Sequence, residues 1–268
     1  MRISHFEKTM NYLILVVFAA FILAPILTIV TKALTAGPGR AEGLRLANFS
    51  DAWTQGHFGQ YIGNSVLVTF VVVSLSVVAS VLGGYALGTM KFPGSTVLFY
   101  LFLWGIMIPS ESYLIPLFFT MRDWKLTDTV WGVSLPQVAM SVAFGIYWMR
   151  TYFRTANPSI SEAARIDGAG TLRALWSIHL PMGRSAVTTL IVLLFLWTWN
   201  DFMTPLIMSP RGLMRTAPLG LAFFKGQYTT DTTLQAAAAA LVALPVVIVY
   251  LFLQRHFIRG MIEGAVKD

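Results

Sequence analysis

The fold is decided first by the stretch TMNYLILVVFAAFILAPILTIVT, residues 9–31, which carries no charged side chain. A helix needs about 20 apolar residues to cross the hydrocarbon core of a bilayer. The stretch is longer than the apolar core of a signal peptide, about 7 to 15 residues. No small-residue cleavage site follows it before Lys32. We therefore expect a retained transmembrane helix.

Five further stretches have the same character, with at most one acidic residue in each. The six predicted spans lie at about residues 10–32, 62–87, 96–120, 130–149, 186–208 and 234–254. Only 12% of the 268 residues are charged, whereas an average soluble domain has about 25%. This composition excludes a soluble enzyme and a disordered protein, and the absence of cysteine excludes a disulfide scaffold. The sequence predicts an all-α polytopic membrane protein with a single transmembrane domain, residues 1–268.

Lysine and arginine are unevenly distributed between the two sides of the predicted membrane. The side that holds both termini and the second and fourth connections has eleven of them, and the other side has eight. Because cytoplasmic loops carry the excess of these residues, both termini are expected in the cytoplasm. The net charge of +7 then indicates contact with anionic lipid of the inner face, not with nucleic acid.

The fourth connection, residues 150–185, is too polar to span a membrane and too patterned to be a flexible tether. Ser159 and Glu162 have the spacing of a capping box, which predicts a short helix from about Ile160. Gly168 or Gly170 can end this helix, since either can take a left-handed conformation. The sequence therefore predicts a short, well-bounded helix on this connection.

A second short helix can begin at Thr171 and end or kink at Pro181. It would carry three apolar side chains on one side, namely Leu172, Leu175 and Trp176. On the first helix, the small side chains of Ala163 and Ala164 would let a partner approach the backbone closely. Two such helices predict a compact docking element.

The residues of this connection resemble the EAA loop of ABC-importer permease subunits. The matching residues are Glu162-Ala163-Ala164, Gly168, Ile178, Leu180 and Pro181. The chain is also similar to carbohydrate-uptake permeases of the maltose-transporter type at Ile108-Pro109, Ile115-Pro116-Leu117, Asp128-Thr129, Gly132-Val133, Leu135-Pro136, Ala143-Phe144-Gly145, Ile166-Asp167-Gly168-Ala169 and Trp199-Asn200-Asp201-Phe202. The ending Gln254-Arg255 and Gly264-Ala265-Val266-Lys267 resembles the shorter, G-type subunit, with Asp268 in place of a final glycine.

This resemblance implies the six-helix type I importer arrangement and a heterodimer with a second permease subunit. It also implies two copies of a cytosolic ATPase and an extracytoplasmic sugar-binding protein, in a bacterial or archaeal cell membrane. The segment from Ser159 to Gly170 would be the coupling helix that sits in a cleft of the ATPase. The outer loop 209–233 would enter the binding protein, and the C-terminal tail would reach toward the ATPase interface.

Three residues of the expected coupling helix each allow two interpretations. Glu162 contacts the ATPase, or it serves the capping box; the two roles are compatible. Asp167 pairs with a partner subunit, or with Arg165 or Arg173 on the surface. Gly168 sets the angle between the two short helices, or it is only a backbone requirement.

Glu111 and Asp201 are the acidic residues inside predicted spans, and Asn200 lies beside the second of them. An ionisable group at such depth is costly and points to function. These three side chains could accept hydrogen bonds from sugar hydroxyls along a translocation path. They could equally hold backbone groups freed near prolines or on neighbouring helices. Trp197 and Trp199 could stack on sugar rings or anchor helix ends at the membrane interface.

Motifs of enzymes are absent from the sequence. No Walker GxxxxGK[ST], no HExxH pair and no GxSxG occurs, so ATP and Mg²⁺ are expected on the partner subunits, and this chain is expected to carry no cofactor, metal or catalytic residue. Two other functions stay open. One is an ABC permease for another solute, and the other is an ion-coupled secondary transporter, for which no inverted repeat is visible.

Overall fold

The computed structural model describes residues 4–36, 43–224 and 231–265, with side chains as far as residue 254 apart from those of Ser110 and Pro158. These residues form helices and turns, apart from one isolated antiparallel bridge between Thr35 and Leu44. The prediction of an all-α protein is confirmed. Residues 37–42, 225–230 and 266–268 lie outside the described part. The expectations for the end of the C-terminal tail and for parts of the two long outer loops therefore lie outside the described residues.

In chain order, the helices are α1 (His5–Leu34), α2 (Ala47–Gln55), α3 (Phe58–Thr89), α4 (Ser95–Met107), α5 (Ser110–Asp123), α6 (Val130–Thr155), α7 (Pro158–Ile166), α8 (Thr171–Ala174), α9 (Leu180–Met182), α10 (Arg184–Asn200), α11 (Met203–Met208), α12 (Ala217–Gly220) and α13 (Thr232–Ala265). A π-helix, Leu175–His179, joins α8 to α9, and a 3₁₀ turn, Leu221–Phe224, follows α12.

Four of the described helices, α1, α3, α6 and α13, are long and apolar enough to cross a membrane. Two bent pairs meet the same criterion when each is taken together: α4 with α5, and Thr171–Met182 with α10. The described residues thus supply up to six spans. In the second pair, α10 matches the predicted span, whereas Thr171–Met182 belongs to the connection 150–185. Nearly all of α1 is exposed in the single chain, although its side chains are apolar. Such a surface requires lipid or a partner subunit.

The third predicted span, residues 96–120, is broken in the structure. The axes of α4 and α5 differ by 100°. The break falls at Ile108 and Pro109, and both have extended ψ values of 120° and 134°. Proline disfavours the helical conformation of the residue before it and cannot donate the next helical hydrogen bond. A span that is continuous in composition is therefore two helices in structure.

The described chain divides into two compact units, and the first comprises residues 1–59 and 220–244. In this unit α2 is fastened to the end of α1 by Asn48, whose side-chain amide donates to the carbonyls of Ala33 and Thr35 at 2.9 Å each. The rings of Phe58 and Phe224 stack with their centroids 6.4 Å apart. The first unit is thus formed by two segments that are far apart in the sequence, residues 1–59 and 220–244.

The second unit, residues 60–219 and 245–268, contains the 150–185 connection and the polar residues of the predicted spans. Its central helix is α6, which has buried residues along almost its whole length. Helix α3 packs closely on α6 because Gly84 and Gly88 face Met149 and Phe153 without an intervening side chain. Two apolar clusters lie along this contact. One contains Val68, Val72, Leu114, Met121, Val133, Met208 and Met214; the other contains Val81, Tyr85, Met149, Phe153, Leu175, Leu190 and Leu194.

Candidate functional site

The start of α7 differs from the predicted capping box. The N-cap is Asn157, whose side-chain oxygen accepts from the backbone N–H of Ser159 at 3.1 Å and from its hydroxyl at 2.8 Å. Ser159 therefore lies inside the helix and is not its N-cap, so the predicted capping box of Ser159 and Glu162 is wrong. The reason is Pro158, which is suited to the first helical position and places the cap at Asn157, two residues earlier than predicted.

The end of α7 is as predicted. Gly168 has a left-handed φ of +74°. Its N–H bonds to the carbonyl of Arg165 at 3.1 Å, and the N–H of Ala169 bonds to the carbonyl of Ala164 at 2.9 Å. This pair of bonds is a Schellman motif. A side chain built at position 168 would meet nothing within 4 Å, so glycine is required for its backbone conformation and not for space.

The outer face of α7 combines acidic, small and apolar residues. Glu162, Ala163 and Asp167 are exposed, and Ile166 is 87% exposed, whereas Ala164 faces inward at 4%. Within the described part of the chain, Asp167 forms no ion pair with Arg165 or Arg173. Since Glu162 does not cap the helix either, both carboxylates are available at the surface.

After Gly170 the chain forms one helical arm, Thr171–Met182, which meets α10 at 81°. The arm widens into a π-helix over Leu175–His179. Pro181, which follows the π-helix, has no N–H to offer an α-helical carbonyl. The three apolar residues predicted to share one side do not: Leu175 is buried, whereas Leu172 and Trp176 are exposed. Of the remaining motif residues, Ile178 and Leu180 are half-buried and Pro181 is exposed.

His179 connects this arm to α7 and to the long helices. Its Nε2 lies 3.1 Å from the hydroxyl oxygen of Ser161, a hydrogen bond whose donor depends on the imidazole tautomer. The ring is 2% exposed and lies between Tyr85 of α3 and Phe153 of α6, at centroid distances of 5.3 and 6.2 Å. Burial lowers the pKa of His179, which favours a neutral ring with one donor and one acceptor nitrogen.

Two side chains of α6 fasten the neighbouring helices beside this connection. The guanidinium of Arg150 donates from Nε to the carbonyl of Leu87 at 3.2 Å and lies 3.6 Å from the ring centroid of Phe99. The indole N–H of Trp148 donates to the carbonyl of Ala186 at 3.0 Å. Helices α3, α4 and α10 are therefore all tied to α6 next to the 150–185 connection.

A cavity of about 730 Å³ lies among α4, α5, α6, α10 and α11. Its walls include the three polar residues singled out from the sequence, Glu111, Asn200 and Asp201. Its other lining residues are Ile106, Tyr113, Leu114, Pro136, Gln137, Met140, Ser141, Phe144, Leu196, Trp197, Thr198, Phe202, Met203 and Thr204. Trp197 lies in this wall with its ring edge-on to Phe144 at 4.7 Å, whereas Trp199 is buried elsewhere.

The polar groups of the cavity also have local partners. The carboxylate of Asp201 accepts from the backbone N–H of Thr204 at 3.2 Å, at the first turn of α11. The amide of Asn200 donates to the carbonyl of Leu196 at 2.8 Å. Asn200 and Asp201 thus bond to backbone groups near a helix break, and both line the cavity together with Glu111.

Several residues of both sites are not identified by sequence analysis. Asn157 and Pro158 carry a recognisable cap signal that the nearby Ser159 and Glu162 obscure. Gln137 carries a signal of a different kind, because it is a polar residue on the apolar α6. His179 gives no signal, since neither its burial nor its bond to Ser161 follows from spacing along the chain.

Helices long enough to cross a membrane, with a short exposed helix on a polar connection, define a multi-pass membrane protein. The family model of the binding-protein-dependent transport system inner membrane component matches residues 79–263. The chain belongs to this family. It is thus the permease component of an ABC importer, a multi-pass inner-membrane protein and not an enzyme, since the ATPase is a separate subunit. Such permeases work with a partner permease, an ATPase and a binding protein.

Individual relatives support this assignment along most of the chain. A probable ABC transporter permease protein of Bacillus subtilis, YurM, is 33% identical over 220 residues, 82% of this chain and 73% of the relative. The arabinooligosaccharides transport system permease AraQ of Halalkalibacterium halodurans is 34% identical over 84% of this chain and 80% of its own length. The diacetylchitobiose uptake permease NgcG of Streptomyces coelicolor is 27% identical over 96% and 88%.

A solved structure supports the fold. It is a bacterial ABC transporter involved in the import of the acidic polysaccharide alginate, and one of its chains matches with a TM-score of 0.82 at 24% sequence identity. The match covers 96% of this chain and 99% of that chain. The predicted permease arrangement is confirmed. Membership of the ABC-importer family also excludes the ion-coupled secondary transporter that the sequence left open.

Proposed function

We propose that this chain forms half of the translocation pathway of a sugar importer and couples closure of the ATPase to alternating access. Its partners would be a second, different permease subunit, two copies of a cytosolic ATPase and an extracytoplasmic sugar-binding protein. Both termini and the 150–185 connection would lie in the cytoplasm of a bacterial or archaeal cell. ATP and Mg²⁺ would be bound by the ATPase subunits, and this chain would carry no cofactor.

The coupling role is supported by α7 more than by any other feature. An exposed apolar residue, Ile166, stands on a short helix between the exposed carboxylates Glu162 and Asp167. A rigid helix whose ends are both fixed, one by Asn157 and one by the Schellman motif, suits transmission of a rigid motion. Ser159 and Ala163, which are exposed, would support close approach of the ATPase. Ala164, expected from the sequence to share this role, is buried and packs α7 against the rest of the chain instead. Ile178, Leu180 and Pro181 would seat the arm behind α7.

Sugar as the substrate is supported by the cavity and by the relatives. Two of these relatives carry the names of oligosaccharide uptake systems. The cavity wall combines aromatic rings, Phe144 and Trp197, with hydrogen-bonding side chains such as Gln137 and Asn200. Such a lining suits a molecule that has both apolar ring faces and many hydroxyls. A relative from Yersinia pestis is named for sn-glycerol 3-phosphate transport, so that solute belongs in the same experiment.

The coupling role predicts the effect of Glu162→Lys in the complex purified with its partner subunits and reconstituted in liposomes. Reversal of a charge at a buried interface costs roughly 2–5 kcal/mol, so we expect substrate uptake to fall more than tenfold while the complex still assembles. Uptake and binding-protein-stimulated ATP hydrolysis are measured together, over a panel of sugars and glycerol 3-phosphate.

The matched control is Asp123→Lys, which reverses an exposed carboxylate at the end of α5, where its ion pair with Arg122 is also exposed. This variant should transport normally. Normal uptake with normal ATPase stimulation in Glu162→Lys contradicts the coupling role. Stimulation by glycerol 3-phosphate alone contradicts sugar as the substrate.

A further inference from the structure

The two short helices of the 150–185 connection are joined along the chain only by residues 167–170, which include two glycines. A side chain built at Gly168 or Gly170 would have no neighbour within 4 Å. No neighbour therefore restrains the link at these two glycines, and the chain can bend there between the fixed end of α7 and the arm. Along the chain, a motion imposed on α7 reaches α6 through residues 156 and 157, but it reaches the arm directly only if a second contact bridges the two short helices.

The hydrogen bond between Ser161 and His179 is such a contact. It joins the middle of α7 to the π-helix of the arm at 3.1 Å, across 18 residues of sequence. A buried imidazole without a hydrogen-bond partner is costly. Ser161 therefore stabilises His179 in its buried position, and His179 holds α7 in place.

The other side of His179 lies against the transmembrane helices. Its ring contacts Tyr85 of α3 and Phe153 of α6, and these two rings contact each other edge-on at 5.3 Å. Tyr85 and Phe153 belong to the apolar cluster that also holds Leu175 of the arm and residues of α10. His179 thus gives a displacement of α7 a direct route into a tightly packed core, which responds as a unit.

We infer that His179 is a positioning residue for coupling, and that the Ser161–His179 hydrogen bond is the joint that carries movement of α7 to α3 and α6. This inference rests on the proposed coupling role of α7. The joint is distinct from the surface that would contact the ATPase, because His179 is buried and Glu162 is exposed.

The joint is tested with His179→Phe, which keeps a ring against Tyr85 and Phe153 but removes Nε2, and with Ser161→Ala, which removes the hydroxyl. The readout is substrate imported per ATP hydrolysed in the reconstituted complex. A hydrogen bond of ordinary net strength corresponds to about a fivefold effect, so each variant should lower this ratio about fivefold. The double variant should be no worse than either single one, because both remove the same bond.

Two further variants separate a joint from a simple loss of packing. His179→Gln restores a polar group toward Ser161 without the ring and should recover most of the ratio. Thr151→Ala removes an exposed hydroxyl that bonds only within its own helix, to the carbonyl of Tyr147, and should leave the ratio unchanged. If the double variant lowers the ratio about 25-fold, the square of the single effect, the two substitutions act independently and the joint is refuted. A normal ratio of substrate imported per ATP hydrolysed in both single variants also refutes it.

The chain contains no cysteine, which permits a covalent version of the same test. Ser161→Cys combined with His179→Cys should be uncoupled when reduced and should regain coupling when a short bifunctional thiol reagent links the pair. An unchanged ratio after linking overturns the joint. The proposed function fails separately: if Glu162→Lys transports normally, α7 is not the coupling helix, whereas uncoupling by Glu162→Lys with normal His179→Phe refutes only the joint.

Discussion

At the scale of single residues, Asp201 has two candidate roles, one in helix stability and one in transport. Its carboxylate accepts the N–H of Thr204 at the start of α11 and also lines the cavity. Asp201→Asn keeps an acceptor oxygen but removes the charge, whereas Asp201→Ala removes both. If the role is structural, Asn should leave uptake and thermal stability unchanged, and Ala should cost about 1 kcal/mol of stability, as loss of a helix cap does.

The measurement is thermal unfolding of the purified complex together with substrate uptake. A large fall in uptake in Asp201→Asn without any change in the unfolding temperature would show instead that the charge itself acts on the substrate path.

Residues also show how far local sequence signals reach. Gly168 is predictable, because a glycine after a short helix has one common use, and its φ of +74° confirms it. Ser159 is not, because the sequence offers two overlapping cap signals and only the chain geometry before Pro158 decides between them. The partner of His179 cannot be predicted, since Ser161 meets it through tertiary folding and not through helical spacing.

At the scale of elements, the contact between α3 and α6 depends on glycine. A methyl group built at Gly84 would lie 2.9 Å from the backbone nitrogen of Arg150 and closer still to the side chain of Met149. Because backbone cannot give way as a side chain tip can, Gly84→Ala should push the helices apart and destabilise the protein by about 1–3 kcal/mol.

Gly63 of the same helix is the matched control, since a methyl group there would meet nothing within 4 Å. Gly63→Ala should be neutral or slightly stabilising, because alanine costs less conformational entropy in a helix. Both variants are compared by thermal unfolding in detergent. Equal behaviour of the two would refute close packing at Gly84.

Element boundaries are less predictable than element character. The apolar stretches locate α1, α3, α6 and α13 well, because a charge-free stretch of this length has few alternatives to a membrane helix. They do not reveal the bend between α4 and α5, although Pro109 stands there. Pro116, Pro136 and Pro245 lie inside continuous helices, so proline alone does not mark a break in a span. Composition reports burial in lipid and says little about where a helix turns.

At the scale of the whole molecule, composition alone determines the class of protein, and the residue pattern of one connection determines the family. The cavity is only partly predictable. Glu111, Asn200 and Asp201 are visible as polar residues in apolar stretches, but their convergence with Gln137 and Trp197 depends on helix packing that no single stretch encodes. Packing geometry is set by many weak contacts at once. The sequence therefore indicates single polar residues of the cavity but not how they come together.

Orientation in the membrane is the largest-scale expectation that the proposed function depends on, and the cysteine-free chain makes it directly measurable. Single cysteines at two exposed positions, Ile166→Cys on α7 and Asp123→Cys at the end of α5, lie on opposite sides if α6 crosses the membrane between them. In right-side-out vesicles a membrane-impermeant maleimide should label position 123 and not position 166, because the excess of lysine and arginine retains the connection 150–185 inside. A permeant maleimide should label both. Labelling of position 166 from outside would place α7 where no cytosolic ATPase can reach it, and coupling through α7 would then be physically excluded.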